Sequence, residues 1–310
     1  MSDDGFQLPQ PDGRAIHVHR WLPQGAVRAT LLIAHGMAEH GARYARLAQA
    51  LNQAGWAVYA LDWPGHGRSV RSADELGHFA DHDGWNYALD TLHRVRRQVA
   101  QEQAGKPLFL LGHSMGSFLG QHYLVEHGEG LAGAILSATS GSMGAMRAPG
   151  ALLLRLEGAL LGVRHRSALA EALSFKAFNK KFAPARTPAD WLSRDHAEVD
   201  AYVADPLCGF RCSAALWASL LSAGASLRDP QRLSRIPKSL PVLLIAGSDD
   251  AVSGGAPGPE LLAQAYRAAG LSDVTVKIYE GGRHELLNEI PQCRDRVTAD
   301  LLDWLPSRLG

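Results

Sequence analysis

Apolar runs of strand length recur along the chain, at "AIHVHRWL" (15–22), "ATLLIAHG" (29–36), "WAVYALD" (56–62), "PLFLLGH" (107–113), "AGAILSA" (132–138), "PVLLIAG" (241–247) and "VTVKIYEG" (274–281). The first alternates apolar and polar positions, the signature of a half-exposed edge strand. Most of the others are nearly continuous Val, Ile, Leu and Ala, as strands covered on both faces are. Between them apolar positions fall three and four apart. "RYARLAQALNQAG" (43–55) and "WNYALDTLHRVRRQVAQEQAG" (85–105) each end on glycine, a natural helix stop, and further helices are predicted over 115–127, 258–269 and 292–305. Strands alternating with helices predict an α/β fold, a mostly parallel sheet with helices on both faces.

The alternation lapses between about 140 and 238. That stretch reads as helices and loops, including 150–162 and Trp191–Tyr202, with no strand. Because strands resume at Pro241, the expected division is a core of residues 1–139 and 239–310 carrying an inserted helical cap, 140–238.

Composition narrows the function classes. Lys+Arg and Asp+Glu both number 31, so no basic excess recommends a nucleic acid as partner. "MSDDGFQLPQPDG" lacks a basic n-region and an apolar h-region, and the apolar stretch 148–163 is broken by Arg155 and Glu157. Cys208, Cys212 and Cys293 are too few and uneven for a disulfide framework. A cytoplasmic chain is expected, with at most peripheral membrane contact.

The chemistry gathers at one corner. "PLFLLGHSMGSFLGQHYLVEHG" (107–128) passes from strand to helix with Gly112 two residues before Ser114 and Gly116 two after. This is the nucleophile-elbow pattern: a strained turn exposes the serine Oγ, and side chains at the glycine positions would strike backbone. The helix starting at Met115 aims free N–H groups and its positive dipole end at the same spot. The Met115 N–H is therefore one candidate oxyanion donor. The Met37 N–H, in the turn after "LLIAHG", is the other.

An elbow serine needs a base and an orienting acid, in chain order Ser, Asp/Glu, His. "LLIAGSDDAVSG" (243–254) sets Asp249 and Asp250 past a strand end, and "KIYEGGRHELLNE" (277–289) sets His284 after the next. Asp250 is the expected acid. Asp249 follows the strand too closely, and its expected role is to accept backbone N–H groups in the turn. His35, His66 and His113 stand near the same sheet edge but precede the acid. His35 with His40, or His78 with His82, make only pairs, so neither a metal nor any other cofactor is expected. Glu39 and Arg43, four apart, are expected to pair and brace the loop.

Four motifs in register, in 35–69, 112–117, 247–254 and 277–289, resemble the monoacylglycerol lipase/lysophospholipase group of α/β-hydrolases, whose bacterial members carry a serine-aminopeptidase domain label. The resemblance implies an α/β-hydrolase fold with Ser114 as nucleophile, Asp250 as acid, His284 as base and Met37 and Met115 at the oxyanion hole. "DWPGHGRS" (62–69) matches the group's Asp-x-x-Gly-x-Gly-x-Ser loop, with Asp62 expected to tie backbone together, although Trp63-Pro64 departs from the usual residues. No stretch of 140–238 aligns.

The expected reaction is two-step ester hydrolysis through an acyl-enzyme, with activity lost on acidification through a histidine pKa near 6–7. Leu152, Leu153, Leu156 and Leu160 cover one side of the 150–162 helix. They are expected to line an acyl tunnel or touch a membrane, which favours a single-chain lipid ester, monoacylglycerol or lysophospholipid. A short- or medium-chain carboxylesterase, a thioesterase, an acyltransferase and a serine aminopeptidase remain alternatives. A non-enzymatic binding protein fits poorly with an intact triad.

Overall fold

The computed structural model describes residues 3–309. Eight strands form one sheet: β1 (Phe6–Pro9), β2 (Ala15–Trp21), β3 (Ala29–Ala34), β4 (Trp56–Leu61), β5 (Leu108–His113), β6 (Gly133–Ser137), β7 (Val242–Gly247) and β8 (Val274–Tyr279). Their spatial order is β1-β2-β4-β3-β5-β6-β7-β8. β2 runs antiparallel to β1 and β4, and every pair from β4 to β8 is parallel. The predicted mostly parallel sheet is present.

Strand alternation divides the core into two layers. In β4, Ala57, Tyr59 and Leu61 face one layer with α2 (Gly84–Glu102), α3 (Met115–His127) and α10 (Pro257–Ala268). Trp56, Val58 and Ala60 face the other, with α1 (Ala45–Gln53) and α11 (Pro291–Trp304). Continuous apolar runs therefore appear wherever both faces are covered.

Residues 140–238 carry α4 (Arg147–Leu161), α5 (Ala168–Leu173), α6 (Phe175–Lys180), α7 (His196–Ala204), α8 (Ala214–Ala223) and α9 (Pro230–Leu233). Three local expectations change. β2 is no edge strand, because β1 covers it, and its two histidines are buried: His19 Nδ1 lies 2.6 Å from Asp3 and its Nε2 3.2 Å from Asp62. Polar alternation there marks an internal ion pair rather than solvent. α2 stops at Glu102, three residues short of the left-handed Gly105. Trp191–Arg194 is not helical; α7 begins only at His196.

Candidate active site

The parallel strands end along one edge, and the candidate residues emerge from those ends. β5 runs into α3 through Ser114 alone, at φ 51° and ψ −119°. These angles are strained for a residue with a Cβ, and the turn is locked by the Ser114 N–H donating to Ser137 O at 3.0 Å. The flanking glycines are sterically required. A Cβ on Gly116 would come within 2.1 Å of Ala34 O, and one on Gly112 within 2.5 Å of Gly116 O. Met115 opens α3, so its N–H is one of the helical amides without an intrahelical acceptor.

Asp250 and His284 follow β7 and β8. His284 Nδ1 lies 2.9 Å from Asp250 Oδ1, and that oxygen also accepts the Val252 N–H at 2.9 Å. Both side chains are buried. Burial alone would push the Asp250 carboxyl up, but the charge and hydrogen bond of His284 outweigh it and hold it below the usual range. Burial likewise opposes a charged His284, yet Asp250 outweighs it and raises the ring above the ordinary 6.5. The other histidines of this edge behave differently. Burial pushes His113 down to about 3 and His66 to about 4, so they stay neutral.

The structure brings Asp250 and His284 into contact. Among the described residues the Ser114 hydroxyl makes no hydrogen bond to His284, a contact that apo enzymes often leave open. The ring of His113, the residue before Ser114, has its centroid 4.9 Å from that of His284. Asp249 is half-exposed and lies 3.4 Å from Lys181 Nζ, rather than accepting backbone N–H groups as expected.

Gly36 and Met37 follow β3. A Cβ on Gly36 would sit 2.8 Å from Glu39 Oε1 and 3.3 Å from the Ser114 Cβ, so glycine lets this loop lie close to both without displacing them. The loop is held from below by Glu39, whose Oε1 accepts the Gly36 N–H at 2.6 Å. The expected Glu39–Arg43 pair forms at 2.8 Å. Arg43 also forks onto both carboxylate oxygens of Glu285 at 2.6 Å each, and the charge of Arg43 outweighs burial to hold Glu285 below the usual range. The oxyanion-side loop and the histidine loop are thus tied through one buried guanidinium. Ala38, at φ 55°, presents its carbonyl to the Gly209 N–H and the Tyr202 hydroxyl at 2.9 and 3.0 Å. Asp62 accepts the Gly41 and Arg68 N–H groups at 2.7 Å each, the backbone tie expected of it.

Sequence reasoning missed Glu285, which lies 242 residues from its partner and carried no spacing signal. It also missed Trp191, read as part of a helix but packed on the His284 ring. The four leucines do not gather round Ser114. Leu152, Leu153, Leu156 and Leu160 are 59%, 45%, 53% and 83% exposed, while Ala151, Leu154 and Gly158 supply the inward side of α4. The tunnel-lining expectation is corrected to an outer surface, because Ala151, Leu154 and Gly158 take the packed face against α8.

Sheet, serine elbow and acid–histidine pair at the carboxyl edge define an α/β-hydrolase. A family profile described as "Serine aminopeptidase, S33" matches residues 25–291, and the chain belongs to that family. It is 32% identical over 294 residues to a monoacylglycerol lipase of Mycolicibacterium smegmatis, covering 93% of this chain and 92% of that one. It is 30% identical over 303 residues to the monoglyceride lipase of Homo sapiens, covering 97% and 90%. Among solved structures, a carboxyl esterase from Bacillus coagulans shares the fold at a TM-score of 0.89 and 24% identity, with both chains fully covered. The protein is a serine carboxylic ester hydrolase.

Proposed function

We propose that the chain hydrolyses esters of a single long acyl chain, monoacylglycerol first and lysophospholipid second, with Ser114 as nucleophile, His284 as base and Asp250 as its orienting acid. The observation that carries this reading is the buried 2.9 Å contact of His284 with Asp250, at the same sheet edge as a serine held at φ 51°. Relatives named as monoglyceride lipases support the substrate class.

His284 Nε2 takes the Ser114 proton as Oγ bonds to the ester carbonyl carbon. The carbonyl π-electrons move onto oxygen, which accepts the Met37 and Met115 N–H groups. The C–O bond to the alcohol then breaks as His284 returns the proton to the leaving oxygen. Water repeats the sequence on the acyl-enzyme and releases the fatty acid.

Residues 140–238 act as a cap over this edge, and the exposed leucines of α4 meet the lipid surface that supplies substrate. No helix among the described residues is long and apolar enough to cross a membrane. A peptidase would need free carboxylates for the substrate amine. Two acidic side chains of the cap are already paired, Glu198 with Arg46 and Asp200 with Arg186 at 2.6 Å.

The test is a substrate panel: p-nitrophenyl esters from acetate to decanoate, then monoacylglycerol, lysophosphatidylcholine and aminoacyl p-nitroanilides. Activity rising with chain length and shared by monoacylglycerol is expected. A peak at acetate with none at decanoate, or preference for the anilides, overturns the lipid reading.

A further inference from the structure

The His284 ring has two aromatic neighbours. His113 stands at a centroid distance of 4.9 Å and 51°, and Trp191 at 4.9 Å and 37°. Trp191 comes from the 140–238 stretch and is only 5% exposed. It is held from several directions. Its backbone N–H donates to Asn179 Oδ1 at 2.9 Å, and the Phe175 ring stacks on its indole at 5.4 Å and 19°. The strap around it is sewn to the histidine loop: the Glu285 N–H donates to Leu192 O at 2.8 Å, and the Arg283 guanidinium donates to the carbonyls of Asp190 and Ser193.

An indole beside an imidazole does two opposing things. It excludes water, which disfavours the charged ring, and its π face attracts a cation lying within about 6 Å of the centroid. During acyl transfer the imidazole becomes an imidazolium, so the second effect grows as the proton arrives. His113 stays neutral and adds no opposing charge. The charged groups that face His284 are Asp250, in contact, with Glu285 and Glu39 further out. The Arg43 guanidinium spans those last two.

We infer that Trp191 is a positioning residue for the reaction, fixing the plane of the His284 imidazole and favouring its charged form as it accepts the Ser114 proton. The inference rests on the roles given to Ser114 and His284 under Proposed function. The strap of the cap is then part of the proton-transfer machinery as well as a cover.

The experiment compares Trp191→Leu with Trp191→Phe on a soluble ester, p-nitrophenyl butyrate, from pH 5 to 9. Leucine keeps water out but removes the π face; phenylalanine retains a weaker one. Trp191→Leu is expected to lower kcat by about 2- to 30-fold, to move the acid limb of kcat/KM to lower pH by several tenths of a unit and to leave KM nearly unchanged. Trp191→Phe is expected to fall between Leu and the parent. An unmoved acid limb in Trp191→Leu, or a phenylalanine variant as impaired as the leucine one, overturns the inference. Fluorophosphonate labelling of the parent and of Ser114→Ala separates the two failures. Labelling lost in Ser114→Ala beside an unmoved limb rejects Trp191 alone, whereas labelling that persists rejects the catalytic assignment and the inference with it.

Discussion

Arg43 and Glu285 face each other across the base of the site, two nitrogens on two oxygens at 2.6 Å. Arg43 stands just before α1, and Glu285 follows His284 directly. A guanidinium fork fixes both distance and angle, which a lysine ammonium does not. The loop bearing Gly36 and the loop bearing His284 are therefore positioned by one buried contact, with Glu39 as the third member.

Removing Arg43 strands two buried carboxylates. Arg43→Met is expected to destabilise the fold by about 3–5 kcal/mol in urea unfolding. Adding Glu285→Gln should restore part of that loss, because one uncompensated charge disappears. A double variant no more stable than Arg43→Met would show that the pairing carries little energy.

The pH profile follows from the direction of the His284 shift. Its pKa lies above 6.5, and only the neutral ring takes a proton from Ser114. Activity is thus full above that pKa and lost as pH falls through it. The acid limb of kcat/KM should have its midpoint above 6.5. Asp250→Asn should lower kcat by about 10³–10⁴ by removing the partner that fixes the tautomer. A midpoint below 6.5 in the parent argues against this pair.

The elbow glycines are expected to be intolerant for steric reasons. In Gly116→Ala the new methyl would stand 2.1 Å from Ala34 O, a backbone atom that cannot rotate away. A loss of about 1–3 kcal/mol is expected, read as a lowered Tm, together with lost activity. An unchanged Tm would mean that the elbow is looser than its geometry.

The leucine face of α4 separates interface from chemistry. Leu152→Ser, Leu156→Ser and Leu160→Ser together should leave p-nitrophenyl butyrate hydrolysis near the parental rate, since these side chains are more than half exposed. Hydrolysis of monoacylglycerol presented in vesicles should fall several-fold. Equal activity on vesicles would remove the membrane role from this face.

Much of this was legible in sequence because the parallel strands are uniformly apolar and the elbow is local. Ser114, Gly112 and Gly116 lie within five residues, directly behind the apolar run of β5. β1 was missed because it is four residues long and ends in proline. β2 was misread because His17 and His19 look like solvent-facing positions, whereas Asp3 and Asp62 compensate His19 internally. Trp191 and Glu285 act through contacts formed only in the folded chain. Most leucines of α4 point outward, since the helix packs on its neighbour through Ala151, Leu154 and Gly158 and leaves Leu152, Leu153, Leu156 and Leu160 free.

The most direct measurement is covalent capture of the nucleophile. Incubated with a fluorophosphonate, the protein should gain one adduct by intact mass, mapped to Ser114 by fragmentation, and lose hydrolysis of monoacylglycerol in proportion. Ser114→Ala should neither label nor turn over above about 10⁻³ of the parental rate. Stoichiometric labelling at another serine, or hydrolysis by Ser114→Ala at the parental rate, would contradict the account.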